Sequence, residues 1–222
     1  MNSIFIDLEM HPVARAYAEQ FALLKRETIE IGAVMLDENL QEISSFKEYV
    51  HPDFSDKVYA KYQKLTGITT EMLADAGGFK SVFEHFCKWC GSDYTIYSWS
   101  DSDIWQLMRE CDFKGIEYND DVRYMFNHWK DFQAEFCSML NMDKLMSLTD
   151  AVSIGGLDFA GHQHDGLADA RNTADLYRQT SDAQSEEFQR LLRNLEEASR
   201  PCTFSIREVV DFKQFDFGGE GI

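Results

Sequence analysis

The chain has 222 residues, 44% of them hydrophobic and 14% aromatic, enough to fill one sizeable core in a soluble domain with an appended segment. No apolar run approaches the eighteen or so uncharged residues of a membrane span, and the N-terminus reads as a strand instead of a charged leader, so a cytoplasmic protein without membrane attachment is expected. Thirty-nine acidic against twenty-one basic residues give a net charge of −18, which excludes strong non-specific attraction to a polyanion.

Residues 2–8 read as a first strand, TIEIGAVMLD (28–37) as a second and SSFKEYVH (44–51) as a third, the start of an antiparallel meander. Between the first two, MHPVARAYAEQFALLKRE is longer than a hairpin turn and reads as a loop or short helix walling the end of the first strand. Pro52 and a polar stretch lead to KLTGITTEMLADAGGF, a turn and short helix, and then to a stronger helix from Phe79 to about Cys90. TIYSW (95–99) is a buried strand. Ile104, Leu107, Met108 and Cys111 recur at helical spacing directly after it, so Asp103 stands at a strand-to-helix junction.

The aromatic-rich stretch from Tyr118 to Met142 fits strand and helix equally well. KLMSLTDAVSIGGLDF reads as a helix ending at Gly155-Gly156, and HQHDGLADARNTADLYRQ as a loop followed by a helix that buries Leu167, Ala170, Ala174 and Tyr177. Beyond Gln179 a polar helix carries Phe188, Leu191, Leu192 and Leu195 on one face and stops at Pro201, while FDFGGEGI gives no structure. The order of elements predicts an α/β domain over residues 1–180, with residues 181–222 as a C-terminal helix and tail packed back on it. Five cysteines, an odd number on mostly apolar helical positions, read as reduced; Cys87 and Cys90 lack a second pair at zinc spacing and read as core.

Acids at unusual positions carry the functional reading. Asp7 and Glu9 lie in SIFIDLEM, an apolar run where a charge is costly unless something pairs with it or binds it. Alternate strand residues share a face about 6.5 to 7 Å apart, so both carboxylates would present to one side, an arrangement suited to a hard cation. Asp103 and the pair His164 and Asp169 add further candidates beside core elements. Five helical residues turn the chain through about 500°, which would leave His164 and Asp169 about 140° apart. Asp169 is therefore placed in the early turns of the helix, and His164 on the preceding loop, made mobile by Gly166.

FIDLEM, TIEIGAVML, LTGIT, SWSDSDIWQL and HDGLADARNTADLY, in that order over residues 3–179, resemble the motifs of the DEDDh 3′-5′ exonucleases of the ribonuclease T, oligoribonuclease and histone-mRNA 3′ exonuclease branches. The resemblance implies a ribonuclease H-like mixed five-stranded sheet flanked by helices. It implies that Asp7, Glu9, Asp103 and Asp169 hold two divalent cations, Mg2+ or Mn2+, and that His164 takes a proton from the attacking water. Two ions about 4 Å apart can activate a water and stabilise a leaving oxygen, and carboxylate ligation favours these metals over zinc. An imidazole, with an ordinary pKa of about 6.5, is a usable base at neutral pH.

Asp103 is preferred to Asp101 by the apolar residue that follows it, which leaves Asp101 as a helix N-cap. His164 is preferred to His162 by its spacing to Asp169, which leaves His162 facing solvent. Ala168 stands where many relatives carry an acid, and Met10 follows Glu9 where many have a small residue that meets the terminal nucleotide. Leu65 and Thr66 match the position that packs on the terminal base; a helix N-terminal turn capped by Thr is the competing reading. The implied partner is a single-stranded 3′ end, with RNA or short oligonucleotides favoured because so acidic a chain would grip only a short, end-bound substrate. A homodimer is left open. A non-catalytic binding module on the same fold is the alternative, against which the complete set of five residues stands.

Overall fold

A computed structural model describes residues 1–199; Pro201, Cys202 and FDFGGEGI lie outside them. The elements in chain order are β1 (Asn2–Pro12), α1 (Ala18–Leu23), β2 (Arg26–Leu36), β3 (Glu42–His51), α2 (Ala60–Thr66), α3 (Thr70–Ala74), β4 (Gly77–Gly78) and α4 (Phe79–Cys90). They continue with β5 (Tyr94–Ser98), α5 (Ser102–Lys114), α6 (Asp120–Asn127), β6 (Trp129–Asp131), α7 (Phe132–Met139), α8 (Leu148–Gly155), α9 (Gly166–Thr180) and α10 (Glu186–Ala198).

The strands form one mixed sheet in the order β4-β3-β2-β1-β5-β6. The meander β1-β2-β3 is antiparallel, whereas β5 joins β1, β6 joins β5 and β4 joins β3 in parallel. This is the mixed, ribonuclease H-like sheet expected, with one strand more than five: β4 is two glycines paired to Val50 and His51. The β2–β3 turn is tight because Asp37 Oδ1 accepts the N–H groups of Asn39 and Gln41 at 2.9 and 2.8 Å, with Leu40 in the left-handed region.

Alternation along β1 sorts the two cores. Ile4, Ile6 and Leu8 face α4, α5 and α6, in a core with Phe79, Phe83, Phe86 and Leu107. Phe5 faces the other way, into a core with Phe132, Phe136, Ala170, Ala174 and Leu176 from α7 and α9. Asp7 and Glu9 continue the Phe5 face and therefore meet the start of α9. Leu167 and Tyr177 pack at the margin of that core, as the helical spacing predicted.

The ambiguous stretch resolves as helix, strand, helix. Asn119 caps α6 by accepting from the Val122 N–H at 2.9 Å, and Asp131 caps α7 by accepting from Ala134 at 3.0 Å. Helix α10 lays Phe188 and Leu191 against α8 and α9. Among the described residues Cys87, Cys90, Cys111 and Cys137 are free thiols, three of them buried, and burial pushes Cys87 up to about 12. No helix among the described residues is long and apolar enough to cross a membrane.

Candidate active site

The sheet sets out the site as a lattice of side chains on one face. Asp7 pairs in register with Gly32, which pairs with Lys47; Glu9 pairs with Glu30, which pairs with Tyr49. Cross-strand partners share a face, so Lys47 and Glu30 lie beside the two acids. Onto this lattice comes the first turn of α9, so close that a Cβ built on Gly32 would stand 2.1 Å from the Leu167 nitrogen. On Gly166, a Cβ would meet the Asp7 carbonyl oxygen and Glu30 Oε1, both at 3.0 Å. Gly166 is thus a buried contact residue that starts the helix, and the mobile hinge expected of it is corrected: two glycines let two backbones touch.

That contact brings Asp169 to the strand acids. Ligand atoms of Glu9, His164 and Asp169 all lie within 4.8 Å of one another. His164 stands on a left-handed backbone, φ 64°, a region histidine enters more readily than most residues. Its N–H donates to Asp169 Oδ2 at 3.1 Å, and its side chain is exposed. Asp165 caps α9, accepting from the Ala168 N–H at 3.1 Å, and Lys47 Nζ reaches Asp165 Oδ2 at 2.5 Å and Glu30 Oε2 at 3.5 Å.

Asp103 arrives from the opposite side, in the first turn of α5, after a turn in which Ser100 holds φ 105°. It is buried, and its Oδ1 accepts the Leu8 N–H at 3.3 Å. Asp101 occupies the N-cap position without capping: its Oδ2 accepts from Trp105 Nε1 at 3.1 Å, so the capping expected of that side chain is not made.

Asp7, Glu9, Met10, Leu65, Thr66, Asp103, His164 and Asp169 all line one cavity of about 360 Å³. His162 does not; it is exposed, with Nδ1 2.6 Å from the Gln163 carbonyl oxygen. Thr66 does not begin a helix. It ends α2, where its hydroxyl donates to the Tyr62 carbonyl at 3.0 Å and Gly67 closes the helix at φ 74°; the capping threonine is Thr69, ahead of α3. Arg26, Tyr62, Trp99, Ser102 and Leu148 complete the lining and were not singled out from the sequence. Neither was Glu30, although a buried acid in an apolar run was the signal that marked Asp7 and Glu9.

The acids repel. Burial, then the charges of Asp103, Asp169 and Glu9, push Asp7 well above the usual carboxylate range. Burial followed by Asp169 and Glu30 carries Glu9 up to about 9. Burial raises Asp103 to about 7 and Asp169 to about 6, the latter opposed by the His164 N–H. Asp169 Oδ1 is buried with no hydrogen-bond partner. Four carboxylates beside one imidazole, an orphaned carboxylate oxygen and carboxyls whose charge is disfavoured by burial fit a hard divalent cation.

Comparison with known proteins agrees. Residues 4–177 match the RNase T exonuclease family. The chain is 28% identical over 174 residues to ERI1 exoribonuclease 2 of Homo sapiens, and 27% identical over 171 residues to 3′-5′ exonuclease Snipper of Drosophila melanogaster. These matches span 67% and 68% of this chain but only 24% and 59% of those relatives. Among solved structures, the nuclease domain of 3′hExo, a DEDDh family member bound to rAMP, aligns with TM-score 0.67 at 20% identity, over 88% of this chain and 92% of that one. S. pombe Pop2p in its Mg2+ and Mn2+ bound form aligns with TM-score 0.62 at 17% identity, over 84% of each. The chain belongs to the RNase T exonuclease family.

Proposed function

We propose that this protein hydrolyses single-stranded nucleic acid from its 3′ end, releasing nucleoside 5′-monophosphates, with RNA and short oligonucleotides preferred. The observation that carries the proposal is the convergence of Asp7, Glu9, Asp103, His164 and Asp169 on one cavity in which the four acids form no ion pair with a lysine or arginine among the described residues. The relatives named for 3′-5′ ribonuclease activity support it.

The four carboxylates would hold two divalent cations, Mg2+ or Mn2+. Such ions, when bound, supply Lewis-acid stabilisation of phosphate charge and a more acidic water. The chain's own part follows from the geometry. Asp7 and Glu9 are fixed by strand pairing, Asp103 by the Leu8 N–H and Asp169 by the His164 N–H, so the anionic cradle needs no rearrangement to receive cations. His164, exposed at the rim beside Glu9 and Asp169, takes the proton of the attacking water and can return it to solvent. Water adds to phosphorus, the P–O3′ bond breaks, and the leaving 3′ oxygen takes a proton from solvent, so the shortened strand ends in a new 3′-hydroxyl and the released nucleotide carries the phosphate on its 5′ oxygen. Met10, Leu65 and Thr66, with Tyr62 beside them, wall the apolar side where the terminal nucleoside rests.

A 5′-labelled single-stranded RNA incubated with Mg2+ should shorten as a ladder from its 3′ end, and Asp7→Ala should stop it. Absence of a ladder, or an undiminished one with Asp7→Ala, would overturn the proposal. A protein that binds the oligonucleotide and never cuts it would be the binding module instead.

A further inference from the structure

We infer that Arg26 grips the phosphate one linkage 5′ of the scissile one, and is the means by which so acidic a protein holds a nucleic acid at all; the inference rests on the exonuclease reading above. Arg26 is the one arginine or lysine among the described residues lining the cavity that holds the four acids, where His164 is the other nitrogen base. It is exposed and makes no ion pair among the described residues. Other cations are committed elsewhere: Lys47 to Glu30 and Asp165, Lys114 to Glu27, Asp53 and Glu110, Arg171 to Glu42. A guanidinium left unpaired at the rim of an acidic cavity, in a chain of net charge −18, is available to an anion from outside.

Its place along the sheet selects the phosphate. Arg26 pairs with Pro12, three residues beyond Glu9 on β1, so its place in the sheet is displaced from that of Glu9 by about 10 Å along the strand direction. That is too far for its side chain to compete for the reacting group without reaching back, and suited to the neighbouring linkage of a strand leaving the cavity. The anchor is firm. Gln106 Nε2 donates to the Arg26 carbonyl oxygen at 3.0 Å and also to Glu110, so the helix that carries Asp103 clasps the strand end that carries Arg26. Phosphate grip and carboxylate cradle are thereby held at a fixed separation, as a two-point clamp on the substrate requires.

The test uses three oligoribonucleotides of one sequence: one fully charged, one with a neutral methylphosphonate one linkage 5′ of the scissile bond, and one with it two linkages further on. Wild-type protein and Arg26→Ala are compared by kcat/KM with Mg2+, and by fluorescence anisotropy with Ca2+. The wild type should lose on the order of tenfold when the first neutral linkage is introduced, and Arg26→Ala should lose no more than about twofold. The distal neutral linkage should cost both proteins equally, and Arg26→Lys should recover part of the discrimination. If Arg26→Ala discriminates between charged and neutral linkages as strongly as the wild type does, the inference is overturned. Anisotropy separates the two ideas: charge-dependent binding through Arg26 without any cleavage would retain the phosphate grip and remove the exonuclease.

Discussion

Two groups of acids, most of them buried, lie on the paired strands β2 and β1 and share helix α5, and they are treated in opposite ways. Around Lys114, whose Nζ lies 3.1 Å from Glu27, 3.0 Å from Glu110 and 2.9 Å from Asp53, the charges close into a network. Glu110 Oε2 also accepts from the Thr28 N–H, the Thr28 hydroxyl and Gln106, and the two Glu27 oxygens accept the Asp53 and Phe54 N–H groups. On the neighbouring strand β1 and in the first turns of α5 and α9, Asp7, Glu9, Asp103 and Asp169 have two backbone donors and one another. The difference teaches what burial of charge means in this fold: where a lysine is present the acids are structural, and where it is missing the compensating charge must come from outside.

The largest effects should separate the groups by what they damage. Asp7→Asn should reduce cleavage of 5′-labelled RNA by on the order of 10³-fold, through loss of charge where the phosphate reacts. The metal-free variant should unfold no earlier than wild type at pH 8, because one of four repelling carboxylates is gone. Lys114→Met should do the reverse. It strands Glu27 and Glu110 in the interior at a cost of about 3 to 5 kcal/mol in urea unfolding. Adding Glu27→Gln and Glu110→Gln should recover part of that loss. Equal stability losses from Asp7→Asn and Lys114→Met would erase the contrast.

Much of this was legible in the sequence where period and punctuation agree. The β1-β2-β3 meander, helix α4 from Phe79 to Cys90, and the positions of Asp7, Glu9, Asp103, His164 and Asp169 follow from apolar runs interrupted by acids and from ordered motifs. The stretch from 118 to 142 was illegible because three elements of three to eight residues are each too short to show a period. Gly166 was misread for a different reason: a glycine that admits another backbone looks, in sequence, like one that permits motion, and only Gly32 on the facing strand decides. Arg26 gave no signal, since an arginine at the start of a strand is ordinary until the cavity places it.

Metal should act on one group and leave the other unmoved. The folded-state pKa values of Glu9, Asp103 and Asp169 stand near 9, 7 and 6, above the value of about 4 expected unfolded. The folded protein therefore holds more protons over that window, so stability present below about pH 4 is lost as pH rises through 6 to 9. Thermal unfolding of metal-free protein should drop progressively from pH 5 to pH 9. Mn2+ at about a hundred times its Kd should restore about 2.7 kcal/mol, and more of the shift should appear at pH 8 than at pH 5, where protons occupy the same oxygens. In Asp7→Asn with Asp103→Asn the Mn2+ response should vanish, whereas in Lys114→Met it should persist on a lower baseline.

Lys47 lies between the two regimes and gives the smallest, sharpest test. Its ammonium bridges Glu30, beside Glu9, to Asp165, the cap of the helix that delivers Asp169 and follows His164. Both Lys47 and Asp165 are partly in water, so Lys47→Gln should cost about 1 kcal/mol or less in urea unfolding. Catalysis should respond more than stability, by about tenfold and in kcat instead of KM, because the loop carrying His164 loses its anchor while the base-binding wall is untouched. Lys47→Arg, which keeps the charge and can reach both carboxylates, should restore most of the rate. A stability loss as large as that of Lys114→Met with no change in kcat would place Lys47 with the closed network, and the boundary between structural and reactive acids would then run between Glu30 and Glu9.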